Sequence, residues 1–190
     1  QWKELNCTKD FSNFVYEVQQ YTKSLPMILF HKDIIANILI KHILVKDTQA
    51  YEPLLSLVIS FTRDLQEEIY EYFPKFYEAI TSLLTRTSEP KIFESVFNTI
   101  AYLFKYLLKQ LVADVDKTFF MMRSLFESNK DYIRRFASES FSFLLRRIKG
   151  EKLKKILTII LESVNDGKSN SIESYISGIG LLLSETIKVS

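Results

Sequence analysis

The stretch FESVFNTIAYLFKYLLKQL, residues 93–111, decides the fold class. Phe93, Val96, Phe97, Ile100, Ala101, Phe104, Leu107, Leu108 and Leu111 recur at intervals of three and four. At 100° per residue that spacing lays them along one side of a helix. A half-buried strand needs alternation of apolar and polar residues, and this stretch has none. Tyr102, Lys105, Tyr106 and Lys109 fall on the opposite side.

The same period continues in both directions. Downstream it runs through Ile133, Phe136, Ala137, Ser140, Phe141, Leu144, Leu145 and Ile148. Upstream it runs through Ile69, Phe73, Phe76, Tyr77, Ile80, Leu83 and Leu84, with Pro74 inside the stripe. A proline there removes an amide hydrogen and clashes with the preceding turn, so that helix must kink or restart. Nearer the amino terminus, Phe11, Phe14, Val15 and Val18 follow Asp10, placed to cap a helix start. Ile34, Ile35, Ile38 and Leu39 follow Asp33 in the same way. Pro26, Pro53 and Pro90 sit near helix starts, where the missing donor costs little. The class is all-α.

The helices repeat. Leu54, Leu55, Val58, Ile59 and Phe61 align with Val96, Phe97, Ile100, Ala101 and Leu103, then with Phe136, Ala137, Ser140, Phe141 and Phe143, then with Tyr175, Ile176, Ile179, Gly180 and Leu182. An intervening helix fills each gap, over 66–85, 113–128 and 151–165. Antiparallel helix pairs at a period of about 40 residues are the spacing of HEAT or armadillo arrays. The run KDYIRRFA, residues 130–137, resembles the opening of a HEAT second helix, and Pro74 resembles the kink of a HEAT first helix. One helix pair cannot bury both of its faces, so neighbours must stack into a solenoid. The expected organisation is a single segment, 1–190, with repeats near 10–46, 47–88, 89–129, 130–168 and a partial 169–190. Gln1 stands where an initiator Met would, and neither end reads as a polar cap. The expectation is a piece of a longer array with flanking repeats, adhesive when isolated.

Composition agrees with this reading and closes other routes. The chain has 190 residues with 47% apolar and 25% charged side chains, which exclude a disordered tail. Its only four glycines (Gly150, Gly167, Gly178, Gly180) lie near the carboxyl end. No glycine-rich phosphate loop or nucleophile elbow exists before residue 150, and little positive φ is expected there. No apolar run approaches the ~18 residues of a membrane span, and no signal-peptide pattern opens the chain. A single cysteine, Cys7, permits no internal disulfide.

No catalytic constellation emerges, so no enzyme, metal, cofactor or small-molecule substrate is expected. His31 and His42 are eleven residues apart, about 16 Å of rise on one helix, too far to share a metal ion. They read as core or boundary residues. Cys7 reads as an inert thiol. The acidic group Asp64, Glu67, Glu68 and Glu71 reads as the start and first turns of a helix, where carboxylates complement the dipole.

Two surfaces stand out. Tyr102, Lys105, Tyr106 and Lys109 combine rings with ammonium groups, which suits stacking on unpaired bases, anchoring a peptide, or bridging to a neighbouring repeat. The second surface is basic. The overall charge of +2 divides into −3 over residues 1–95 and +5 over 96–190. Arg134 and Arg135 flank apolar residues and suit pairing to acids of a neighbouring repeat. Arg146, Arg147, Lys149, Lys152, Lys154 and Lys155 gather around the Gly150 turn. Those before the turn favour the dipole of the helix they end; Lys152, Lys154 and Lys155 open a helix and want an outside partner. RNA phosphate, an acidic protein segment and plain solvent all fit.

Longer strings of residues carry a resemblance. IKHILVKDTQAYEPLLSLVISFTRDL (40–65), YEYFPKFYEAITSLL (70–84), AYLFKYLLKQL (101–111) and YIRRFASESFSFLLRR (132–147) resemble the amino-terminal part of the DRIM ("down-regulated in metastasis") family. The resemblance covers about residues 30–150. It implies a very large nucleolar HEAT-repeat protein of the small-subunit processome, acting as a non-enzymatic scaffold in rRNA processing. The implied location is the nucleus and nucleolus. The implied partners are pre-ribosomal particle proteins together with pre-rRNA or snoRNA. The alternative is an importin-like transport or adaptor solenoid gripping peptide segments, against which the basic second half argues.

Overall fold

The computed structural model describes residues 8–165 and 172–187, and every regular element among them is helical. Cys7 and Gly167 lie outside the described residues, as do parts of the last two expected repeats. The chain divides into two compact units, Gln1–Tyr106 and Leu107–Ser190.

In the first unit, α1 (Lys9–Val18) begins at Thr8, whose hydroxyl accepts from the Phe11 amide at 3.3 Å. Thr8, not Asp10, is therefore the cap. Asp10 instead holds the turn over residues 47–50, accepting from the Thr48 hydroxyl at 2.8 Å and the Gln49 amide at 3.2 Å. A 3₁₀ turn leads to α2 (Leu25–Phe30), capped by Ser24, and α3 (Lys32–Ile43). Then come α4 (Tyr51–Leu65), a 3₁₀ segment over Gln66–Glu71, α5 (Phe73–Arg86) and α6 (Pro90–Tyr106). Pro74 occupies the first turn of α5, so the chain restarts there rather than kinking. Phe14, Leu39, Leu54, Val58, Ile69, Phe76, Ile80 and Ile100 are buried, and α6 packs on both α4 and α5.

Helix α6 corrects the reading of residues 93–111. The helix ends at Tyr106, Leu107 turns out of helical geometry (φ −93°, ψ 19°), and a new helix begins at Leu108. Its buried side is Ile92, Val96, Thr99, Ile100, Leu103 and Phe104, while Ala101 is exposed. Thr99 enters the core because its hydroxyl donates to the Ser95 carbonyl at 2.7 Å, which removes the cost of burying it.

The second unit holds α7 (Leu108–Ala113), α8 (Val115–Phe126), α9 (Asp131–Leu145), α10 (Gly150–Asn165) and α11 (Ile172–Ile187). Phe119, Phe126 and Phe141 form its aromatic centre, with ring centroids 5.5–6.2 Å apart. Helix α9 packs along α11, with Ser138 meeting Gly178. A Cβ at Gly178 would lie 2.5 Å from the Phe126 carbonyl oxygen, so only glycine fits there. Gly150 adopts φ +62° at the α9–α10 turn. Positive φ also occurs earlier than expected, at Asp47 (55°) and Gln66 (53°). Aspartate tolerates the left-handed region through local hydrogen bonding, whereas Gln66 carries that geometry as strain.

Among the polar contacts between residues distant in sequence, several fall at similar separations, beside others at 12, 24 and 36 residues. Asp10 meets Thr48, Asp33 meets Tyr72, Leu44 meets Arg86, Asp116 meets Lys155 and Gly178 meets Ser138, all 38–42 residues apart.

Candidate partner-binding surface

The tyrosines of α6 are four residues apart, one helical turn, and their rings stack at 5.9 Å with an interplanar angle of 18°. Tyr106 is exposed, Tyr102 is half-buried, and Lys105 projects into solvent beside them. Lys109 lies beyond the end of this helix, an exposed residue of α7 in the second unit.

The basic run separates into two groups. Arg134 and Arg135 are held chiefly by Asp131 and the turn before α9, and the Glu185 carboxylate of α11 adds attraction for Arg135. Arg134 donates to the Ser128 carbonyl at 2.7 Å and to Asp131 at 3.2 Å, while Arg135 donates to Asp131 at 2.6 Å. The Arg135 hydrogen bond holds the Asp131 carboxyl below its ordinary range. Lys152 and Lys155, expected to seek outside partners, are engaged within the unit. The Lys152 ammonium donates to the Ala113 carbonyl at 2.9 Å, at the carboxyl end of α7, and Lys155 pairs with Asp116 at 2.6 Å. The second group, Arg146, Arg147, Lys149 and Lys154, is exposed. The Arg147 guanidinium lies 5.7 Å from the Phe143 ring centroid.

Three of these cations gather at one hollow of about 570 Å³, also lined by Phe143, Leu145, Ile148, Leu153 and Thr186. The end of α9 and the turn after it supply Arg146, Arg147 and Lys149. The start of α10 supplies Leu153, and the last turn of α11 supplies Thr186. No carboxylate lines the hollow. Its lining is not legible in the sequence, where Phe143 and Ile148 belong to the apolar repeat pattern and Leu153 is only one residue of the helix expected over 151–165. The partners of Lys152 and Lys155 both lie 39 residues upstream.

The histidines and the acidic group make local contacts. His42 is buried edge-on against Phe14 at 5.4 Å, with its Nε2 3.3 Å from Glu17. His31 packs between Tyr21 and Phe30 at 5.1 and 4.8 Å. The acidic group does not open a helix. Asp64 lies in the last turn of α4, and Glu67, Glu68 and Glu71 lie on the 3₁₀ segment, where Glu68 pairs with Lys32 at 2.7 Å. Among the described residues, no group of three or more His, Cys, Asp or Glu side chains could hold a metal ion, and no helix is long and apolar enough to cross a membrane.

No family model matches the chain. Over 98% of its length it is similar to the U3 small nucleolar RNA-associated protein 20 of Saccharomyces cerevisiae, with 31% identity over 190 residues. It is similar to the protein of the same name from Schizosaccharomyces pombe at 29% over 189 residues. The chain spans 8% and 7% of the lengths of these relatives. Both are DRIM-family proteins, so the resemblance carried by residues 30–150 extends over the whole chain.

Proposed function

We propose that this chain, a homologue of a short part of the yeast U3 small nucleolar RNA-associated protein 20, is a scaffold segment of a nucleolar ribosome-biogenesis factor. It serves the small-subunit processome during pre-rRNA processing, without catalysis of its own. The observation that carries the reading is similarity along 98% of the chain to two relatives of the same description. The all-helical fold and the recurring 38–42-residue contacts support a HEAT-like solenoid of stacked antiparallel pairs. Such an array presents a long, rigid surface to several partners at once. The partners are assembly proteins and pre-rRNA or snoRNA, met through the tyrosine pair of α6 and the free cations around the Gly150 turn.

The test is depletion of the protein carrying this segment in its own cells. Precursors of small-subunit rRNA should accumulate and mature small subunits should fall relative to large ones. Unchanged precursor levels after depletion would contradict the reading.

A further inference from the structure

The hollow at the α9–α10 turn has a composition that selects among partners. Its cations keep their hydrogen-bonding groups open, Arg147 touching only the Phe143 ring, in contrast to Arg134, Arg135, Lys152 and Lys155, each held by an oxygen of its own unit. Arg146, Arg147 and Lys149 are exposed, and no acidic side chain lines the cavity to neutralise them. The rim is thus an arc of positive charge, complementary to carboxylates or phosphates. The floor discriminates between these.

An unpaired RNA base needs an open aromatic or planar face on which to stack. The only ring in the lining is Phe143, and the Arg147 guanidinium lies over it. The rest of the lining is aliphatic: Leu145 and Ile148 lie beneath, already buried, and half-buried Leu153 offers the open branched surface. That surface gains by burying an aliphatic or aromatic side chain. Strand-tracking sites also string their cations along a groove, whereas here the three cations come from one helix end and turn at a single hollow of about 570 Å³, within the range of concave ligand sites.

We propose that this hollow docks an acidic protein segment in which a Leu, Ile or Phe anchor is flanked by Asp or Glu. The anchor enters between Phe143, Ile148 and Leu153, and the flanking carboxylates meet Arg146, Arg147 and Lys149. The assignment rests on reading the chain as a scaffold segment, and it gives one of that scaffold's protein partners a chemistry.

The test is selection of a random dodecapeptide display library on the 190-residue chain, followed by titration of the enriched peptide and of a single-stranded oligouridine. Two variants are run beside it: Arg146→Glu/Arg147→Glu/Lys149→Glu, and the milder triple substitution to Gln. Enriched peptides should place an apolar residue between acidic ones. Their affinity should fall at least about tenfold in the Glu variant and less in the Gln variant, with both variants still fully helical by circular dichroism. Oligouridine should bind more weakly than the peptide. The proposal is overturned by enrichment without acidic residues, by no enrichment, or by equal peptide affinity in the variants. Tighter oligouridine binding, lost in the same variants, would also overturn it and assign the hollow to nucleic acid. If peptide binding fails while depletion still blocks small-subunit maturation, the docking site alone is lost and the scaffold reading stands.

Discussion

Ser138 and Gly178 join α9 to α11: the serine hydroxyl donates to the glycine carbonyl at 3.1 Å in a fully buried contact. Gly178 also lies against the end of α8, where a side chain would meet the Phe126 backbone. Gly178→Ala should therefore destabilise the chain by about 1–3 kcal/mol despite the better helix propensity of alanine. Gly180, two residues on in the same helix, has open space around it. Gly180→Ala should be neutral or stabilising by up to about 1 kcal/mol. Urea denaturation of both variants checks the contrast; equal effects would refute the packing.

Gln66 follows the last residue of α4 with φ 53° and ψ −125°, a conformation that suits glycine and strains a side chain. Gln66→Gly should raise stability by roughly 1 kcal/mol, after the entropic penalty of glycine in the unfolded chain. A lower denaturation midpoint would show that the Gln66 side chain contributes something the backbone does not reveal.

Acid should act through Glu17. Both of its carboxylate oxygens accept from the Lys41 ammonium at 2.9 Å, and this bond, aided by the neighbouring His42, holds its pKa below the ordinary 4.5. A carboxylate whose pKa is lower folded than unfolded contributes stability above the unfolded value, lost as pH falls through the folded one. The midpoint should therefore drop below about pH 4.5, and drop less in Glu17→Gln. The pair is partly exposed, so the difference should be small. Identical acid sensitivity in the two proteins would remove Glu17 from the account.

The sequence made the helices legible because stripes of three and four are a local property. Elements met by stripes at 54–61, 96–103, 136–143 and 175–182 are the helices that pack pairwise, α4 on α6 and α9 on α11. The end of α6 at Tyr106 was not legible: no glycine or proline marks it, and the apolar stripe runs on through Leu107, Leu108 and Leu111. Thr99 in the core and Ala101 in solvent escaped notice because periodicity locates a face only to within about one residue. Charge counts identified the basic region but not its free members, since Lys152 and Lys155 are paired across 39 residues of sequence.

That sorting of cations gives a further prediction. Lys152→Ala and Lys155→Ala should each lower stability by less than about 1 kcal/mol, as exposed polar contacts do, and leave peptide docking unchanged. Arg146→Ala and Lys149→Ala should do the reverse. Thermal denaturation beside peptide titration separates the two; loss of docking in Lys155→Ala would mean that the free and engaged cations were assigned wrongly.

The central claim is membership in a U3-associated assembly, and the most direct measurement is of RNA that travels with the protein. The protein carrying this segment should be affinity-purified from its own cells at physiological salt, and the co-purifying small nucleolar RNAs quantified. The account predicts U3 RNA enriched well above small nucleolar RNAs unrelated to small-subunit processing. U3 RNA at the level of those unrelated species would contradict it.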